Sequence, residues 1–204
     1  MYVEKTTAEE LEQHRAHLEE LVERRTGELD AALKELSALF EAASAGIVLL
    51  RSRTIVHCNH RFDEMLGYAH GEQLGQPTRV WYFDEATYEE IGREIYPRMQ
   101  RGEIDLREMR FKRKDGEELW CRVSSRAINP GRVDDGLVVI IDDISDERAA
   151  AEALRQSMDR QQAIFEAASA GIMLVRHRGI EHCNRRLEEL TGYAPGELLG
   201  RSAE

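Results

Sequence analysis

FEAASAGIVLLRSRTIVHCNHRFDEMLGYAHGEQLG, residues Phe40–Gly75, returns about 125 positions later as FEAASAGIMLVRHRGIEHCNRRLEELTGYAPGELLG, residues Phe165–Gly200. About two-thirds of the aligned positions are identical, and self-similarity at a fixed period marks a repeated structural unit. A period of this length is too long for a solenoid repeat and suits one small domain per copy. The second copy reaches only Glu204, so it is expected to hold under half of a unit. The repeat divides the 204 residues into an N-terminal helix (1–39), a complete domain (40–144), a linker helix (145–164) and the first part of a second domain (165–204).

The formal charge of −11 and pI near 5.2 argue against a general binder of nucleic acid or anionic membranes. Apolar runs such as Gly46–Leu50 and Leu137–Ile141 are strand-length, well short of the roughly 20 residues that span a bilayer. The N-terminal MYVEKTTAEELEQ has no apolar signal-peptide core. Cys58, Cys121 and Cys183 are odd in number and without paired spacing, which suits a reducing compartment. A cytoplasmic location and no direct membrane insertion of this segment are the expectations.

From Thr7 to Leu39 the composition predicts one long helix, rich in Glu, Leu, Ala and Arg, with no Pro and a single Gly27. Steps of four and three pass through Leu11, Arg15, Leu18, Val22, Arg25, Leu29, Ala32, Leu36 and Leu39. That is a heptad seam interrupted by two arginines. It fits a solvated amphipathic helix, or a marginal and therefore switchable parallel coiled coil that makes a homodimer through Leu11–Leu39. A second helix over Ser145–Phe165 has the sparser apolar set Ala149, Leu154, Met158 and Ile164.

Within the complete unit, Gly46–Arg51 and Thr54–Cys58 predict a hairpin around a tight Ser-Arg turn. Asn59 stands at a helix N-cap position ahead of Phe62, Met65 and Leu66, and Gly67 ends that helix. Asp84–Met99 predicts a helix with Tyr88, Ile91 and Ile95 on one face. Asp105–Lys112 and Glu118–Ile128 predict strands joined by the hairpin signal Asp115-Gly116. The unbroken apolar run Gly136–Ile141 predicts a last strand that is central and covered on both faces. The fold class is therefore α+β: a five-stranded antiparallel sheet with helices packed on it, flanked by long helices.

The motifs Asn59-x-x-Phe62, Leu66-Gly67-Tyr68 and Gly71-Glu72-Gln73-Leu74-Gly75 resemble the first half of a PAS domain of the sensory-box type. Phe111-Lys112-Arg113-Lys114-Asp115-Gly116 with Leu119-Trp120 resembles its strand–turn–strand segment, and Asp143-Ile144-Ser145 its closing Asp-Ile-Thr. The second copy carries Asn184, Thr191-Gly192-Tyr193 and Gly196-Glu197-Leu198-Leu199-Gly200. Where the family often has a basic residue four places after the Asp, this chain has Glu147, followed by Arg148. The resemblance implies a sensory or relay module of a bacterial multidomain protein, such as a two-component sensor histidine kinase or a diguanylate cyclase of cyclic-di-GMP signalling. It also implies signal coupling at Asp143, Ser145 and Arg148, and a downstream output domain that carries any enzymatic activity.

No catalytic motif is present: no phosphate loop, no nucleophile elbow and no kinase or cyclase signature. A flavin photosensor would need its reactive Cys in an Asn-Cys-Arg segment, whereas Cys58 precedes Asn59. A haem sensor would draw an axial His from the helix Asp84–Met99, which has none. No flavin or haem is therefore expected. His57-Cys58-x-His60 contains zinc-ligand types, but neighbours on a strand point to opposite faces and cannot readily share a metal. The candidate site is the hollow lined by Trp81, Tyr88, Ile91, Ile95, Met109, Phe111, Val123 and Val139. Such walls suit an unidentified small ligand and equally suit a plain packed core. Three functional readings follow: a sensory relay, a purely structural dimerisation spacer, or a haem or redox cofactor sensor.

Overall fold

The computed structural model describes residues Tyr2–Ser202, with side chains from Glu12 onward, in two compact units divided after Ile144. The first unit opens with helix α1 (Tyr2–Ala42), longer at both ends than the predicted Thr7–Leu39. Exposed i,i+4 ion pairs such as Lys34–Asp30 (2.7 Å) run along it and support a solvated helix. Its seam residues Leu18, Val22, Leu29, Leu36 and Leu39 are exposed; Leu11 lies outside the described side chains.

Five strands follow: β1 (Gly46–Arg51), β2 (Thr54–Cys58), β3 (Asp105–Lys112), β4 (Glu118–Ala127) and β5 (Leu137–Asp143). They form one antiparallel sheet in the order β2-β1-β5-β4-β3, so β5 is central as its apolar run predicted. Coverage on both faces is not found. Leu137, Val139 and Ile141 are buried, whereas Ile140 on the other face is 40% exposed. The sequence offers apolar residues on both faces of β5, but helices cover one face only.

That cover consists of helix α2 (His60–Leu66), a 3₁₀ turn at Thr78–Trp81, and helix α3 (Glu85–Gln100). Asn59 caps α2, and Gly67 ends it in the left-handed conformation (φ 76°) that a β-carbon would disfavour. Asp84 proves to be the cap of α3, not its first residue, accepting from the Thr87 amide at 2.8 Å. The core joins Phe62, Leu66, Trp81 and Met99 from this layer to Val48, Ile55, Phe111, Leu119 and Ile141 from the sheet. Trp81 meets Phe62 edge-on, with centroids 5.1 Å apart.

The second unit contains helix α4 (Ser145–Ala167), strands β6 (Met173–Arg176) and β7 (Gly179–Cys183), and helix α5 (Arg185–Thr191). The two strands pair antiparallel with the same register shift as β1 and β2. Their burial differs sharply: Met173 and Val175 are 49% and 42% exposed, while the equivalent Val48 and Leu50 are 0% and 8%. Equal local sequence gives equal local structure; burial depends on the three further strands and α3 that only the first unit shows.

Candidate functional site

The inner face of the sheet and helix α3 enclose a cavity of about 50 Å³. Seven of the eight expected residues line it: Trp81, Ile91, Ile95, Met109, Phe111, Val123 and Val139. Tyr88 does not. It stands outside the lining, where the Arg53 guanidinium stacks 3.2 Å above its ring and Tyr82 meets it edge-on. Sequence reading also passed over Leu50, Arg53, Thr78, Gly92, Tyr96, Ser125 and Leu137 in the lining. Period-two alternation from Val123 and Val139 reaches Ser125 and Leu137, and would have found both. Burial pushes the Tyr82 phenol up to about 12, so it is neutral at ordinary pH and can act as a hydrogen-bond donor.

Behind Trp81 runs a buried polar chain. The indole Nε1 donates to Gln73 Oε1 at 2.8 Å, and Gln73 Nε2 donates to Asp63 Oδ1 at 2.9 Å. Asp63 Oδ2 accepts from the Gly71 amide at 2.8 Å and from Cys58 Sγ at 3.5 Å. Gln73 and Asp63 are both 0% exposed, so this chain fixes α2, the following turn and the cavity wall as one piece. Burial first, then the Asp63 charge, raises the Cys58 thiol to about 12, which makes it inert as a nucleophile. The three residues of the His57-Cys58-x-His60 motif diverge. His57 stacks on Phe40 at 5.3 Å, Cys58 turns inward to Asp63, and His60 reaches Glu64 at 3.0 Å.

Asn59 does far more than cap α2. Its Oδ1 accepts from the amides of Phe62 (3.1 Å) and Ile47 (2.9 Å), and its Nδ2 donates to the carbonyls of Phe40 and Ala45, both at 3.0 Å. All four capacities of the amide are used, in a residue with no solvent exposure. The end of α1 is thereby tied to β1 and α2, and the His60 amide adds a bond to Glu41 Oε2 at 2.9 Å. The joint recurs in the second unit. Asn184 bonds Leu187, Ile172, Phe165 and Ala170 at 2.8–3.1 Å, and the Arg185 amide donates to Glu166 at 3.0 Å. The repeated Phe-Glu-Ala-Ala-Ser-Ala-Gly and His-Cys-Asn at constant separation was the signal for it.

At the other end of the first unit, Asp143 Oδ2 accepts from Arg113 Nη2 at 3.4 Å, and Arg113 Nη1 donates to the Met65 carbonyl at 2.6 Å. Arg113 thus links the end of β5 to the end of α2. Ser145 is the first residue of α4 itself, one place later than a cap would stand, and Arg148 is exposed in its first turn.

Comparison with known proteins places these features. A PAS domain family model matches residues 44–146, and a second PAS domain model matches 159–204. The sensor protein TdiS of Thauera aromatica is 28% identical over 126 residues, which is 62% of this chain but only 23% of that protein. The PAS domain of a LuxR-family transcriptional regulator from Burkholderia thailandensis, solved in complex with ethanol, is 29% identical with a TM-score of 0.51. It covers 53% of this chain and 96% of its own. The PAS domain of an HTR-like protein from Haloarcula marismortui is 27% identical, also at TM-score 0.51, over 60% of this chain and 99% of its own.

Proposed function

The chain belongs to the PAS domain family, and from that premise we propose that it is a dimeric sensory and relay module of a bacterial signalling protein. Its helices pass a change in domain packing on to an output domain. The chain spans less than a quarter of the length of the Thauera sensor, and we assign any kinase or cyclase chemistry to a further domain. We place the module in the cytoplasm, which its unpaired cysteines suit. No described helix is long and apolar enough to cross a membrane.

The observation that carries this reading is the seam of α1. Leu18, Val22, Leu29, Leu36 and Leu39 are 52–64% exposed and recur at heptad spacing, an apolar stripe that a second copy would cover. Within the seam Arg15 pairs with Glu19 (3.5 Å) and Arg25 with Glu28 (2.9 Å). Charged seam positions weaken a coiled coil and leave its register adjustable. The Asn59 joint then makes the end of α1 and the sheet a single body, so a shift on one side must move the other.

The input we propose is a small ligand in the cavity between α3 and the sheet, as the ethanol-bound Burkholderia relative suggests. A cavity of about 50 Å³ takes only a few heavy atoms, which supports a small ligand over a flavin or haem. The purely structural spacer is the second reading, favoured by the smallness of that cavity. Sedimentation of residues 1–204 and of 37–204 tests the dimer. We expect a dimer at tens of micromolar for the first and a monomer for the second. A monomeric full-length chain would sink the coiled-coil relay.

A further inference from the structure

We propose that the cavity is built to hold a short-chain monocarboxylate, with Arg53, Thr78 and Ser125 receiving its headgroup. This rests on the reading of the cavity as the sensory site and names the class of ligand it takes. Thr78 and Ser125 are 4% and 3% exposed, and both line the cavity. Neither oxygen is a sealed, orphaned atom, so both can bond water or a polar group received at this cavity wall. Each can donate to an oxyanion.

Arg53 supplies the charge. Arg53 lines the same cavity, and its guanidinium stacks on Tyr88 and donates to the Tyr88 carbonyl, with a side chain 22% exposed. The room it occupies is left by Gly92, where a β-carbon would lie 2.5 Å from Nη1. Its carboxylate neighbour Glu89 is 3.7 Å away and half-exposed, and does not line the cavity. The Thr78 amide donates to the Arg53 carbonyl at 2.8 Å, which holds two of the three headgroup residues side by side. Met109, Phe111, Val123 and Val139 offer apolar surface that suits a short alkyl tail, beside the phenols of Tyr82 and Tyr96.

Backbone conformation points the same way. Arg53 sits at φ 61°, in the two-residue hairpin turn where Asn-Gly is the usual choice, and Arg178 occupies the equivalent position of the second copy at φ 68°. A long cationic side chain kept twice at a left-handed position suggests that the side chain itself is used.

Calorimetry and Trp fluorescence of the purified chain, titrated with sodium propionate and with 1-propanol at equal ionic strength, test this. Propionate is expected to bind saturably and at least about tenfold tighter than the neutral alcohol, as a charge-assisted bond requires. Arg53→Gln should weaken propionate about tenfold or more and leave 1-propanol unchanged. Ser125→Ala, which keeps the backbone and nearly the same volume, should weaken propionate by a smaller factor and serves if Arg53→Gln does not fold. Equal binding of acid and alcohol, or indifference of propionate to both substitutions, overturns the carboxylate assignment and leaves a sensory cavity for neutral ligands. No binding of either compound overturns the cavity as an input site as well, with water satisfying the two hydroxyls.

Discussion

Replacing Asn59 by Ala tests whether the joint between α1 and the sheet is structural or only a helix cap. Ala removes four hydrogen bonds at once and takes the side-chain partner from the Ile47 amide and the carbonyls of Phe40 and Ala45, while the Phe62 amide keeps its bond to the backbone carbonyl of residue 59 at 3.2 Å. A lost cap alone costs about 1 kcal/mol, while each buried backbone group left unpaired adds roughly 1 kcal/mol or more, partly relieved by water entering the vacated space. The expected total is about 3 kcal/mol. For a unit near 150 residues each 1 kcal/mol moves Tm by roughly 2–4 °C, so a fall of about 6–12 °C is expected. Both tryptophans, Trp81 and Trp120, lie in the first unit, so urea unfolding followed by Trp fluorescence reads that unit alone. Asn184→Ala, which breaks the same joint in the second unit, should leave that fluorescence transition in place. Asn59→Ser separates the two roles, since Ser keeps the cap acceptor but loses both donors. If Asn59→Ser unfolds with the parent protein, or Asn59→Ala costs under about 1 kcal/mol, the joint is only a cap and the relay argument built on it fails.

Asp105, 1% exposed, accepts from Arg98 and from Arg107 Nε (2.6 Å) and Nη2 (2.9 Å); Asp105→Ala should cost about 2–3 kcal/mol in urea unfolding, and a cost near zero would show that the cluster is merely solvated. Burial raises the thiols of Cys58 and Cys121 to about 12, so both should resist alkylation at neutral pH until the unit unfolds, while the less buried Cys183 reacts first. The same shifts fix an alkaline limit: the folded state retains thiol protons that the unfolded chain releases from about pH 8.5, so stability is complete below that pH and is lost as pH rises towards 12. The slope is at most about 1.4 kcal/mol per pH unit for each thiol, and a double Cys→Ala variant should flatten it. In hydrogen exchange, amides of 172–175 should exchange much faster than those of 47–50; equal protection would mean that the second unit is covered in solution.

The strand and helix pattern was legible because its causes are local. Asp115-Gly116 and Ser52-Arg53 mark hairpin turns, and Asn59 and Gly67 bracket a short helix. Seven cavity residues followed from periods of 2 and 3.6. Tyr88 did not, since one face of a helix can be assigned from spacing while the last few degrees of rotation depend on what packs there, in this case Arg53. Ser125 lay within reach of period-two alternation from Val123, whereas Arg53 and Thr78 were hidden for a different reason. Polar residues in turns and strands read as solvated by default, and only three-dimensional closure buries them. The open outer face of β5 is the converse error, apolar sequence that this fold leaves uncovered. One of the four Asn59 bonds was visible as a cap; the rest span 12, 14 and 19 residues, beyond any window that reads local pattern.

The Ser52-Arg53 turn sets stability and responsiveness against each other. Left-handed conformations cost a residue with a β-carbon roughly 1–2 kcal/mol, and Ser52 and Arg53 both adopt one. An Asn-Gly replacement would relax that strain and give a hairpin that folds more firmly than the natural one. It would also delete the only guanidinium on the cavity wall. With the cavity as the input we propose, selection for thermal robustness alone would drift toward a sturdier but unresponsive protein, and any consensus-style stabilisation of this domain should leave that turn untouched.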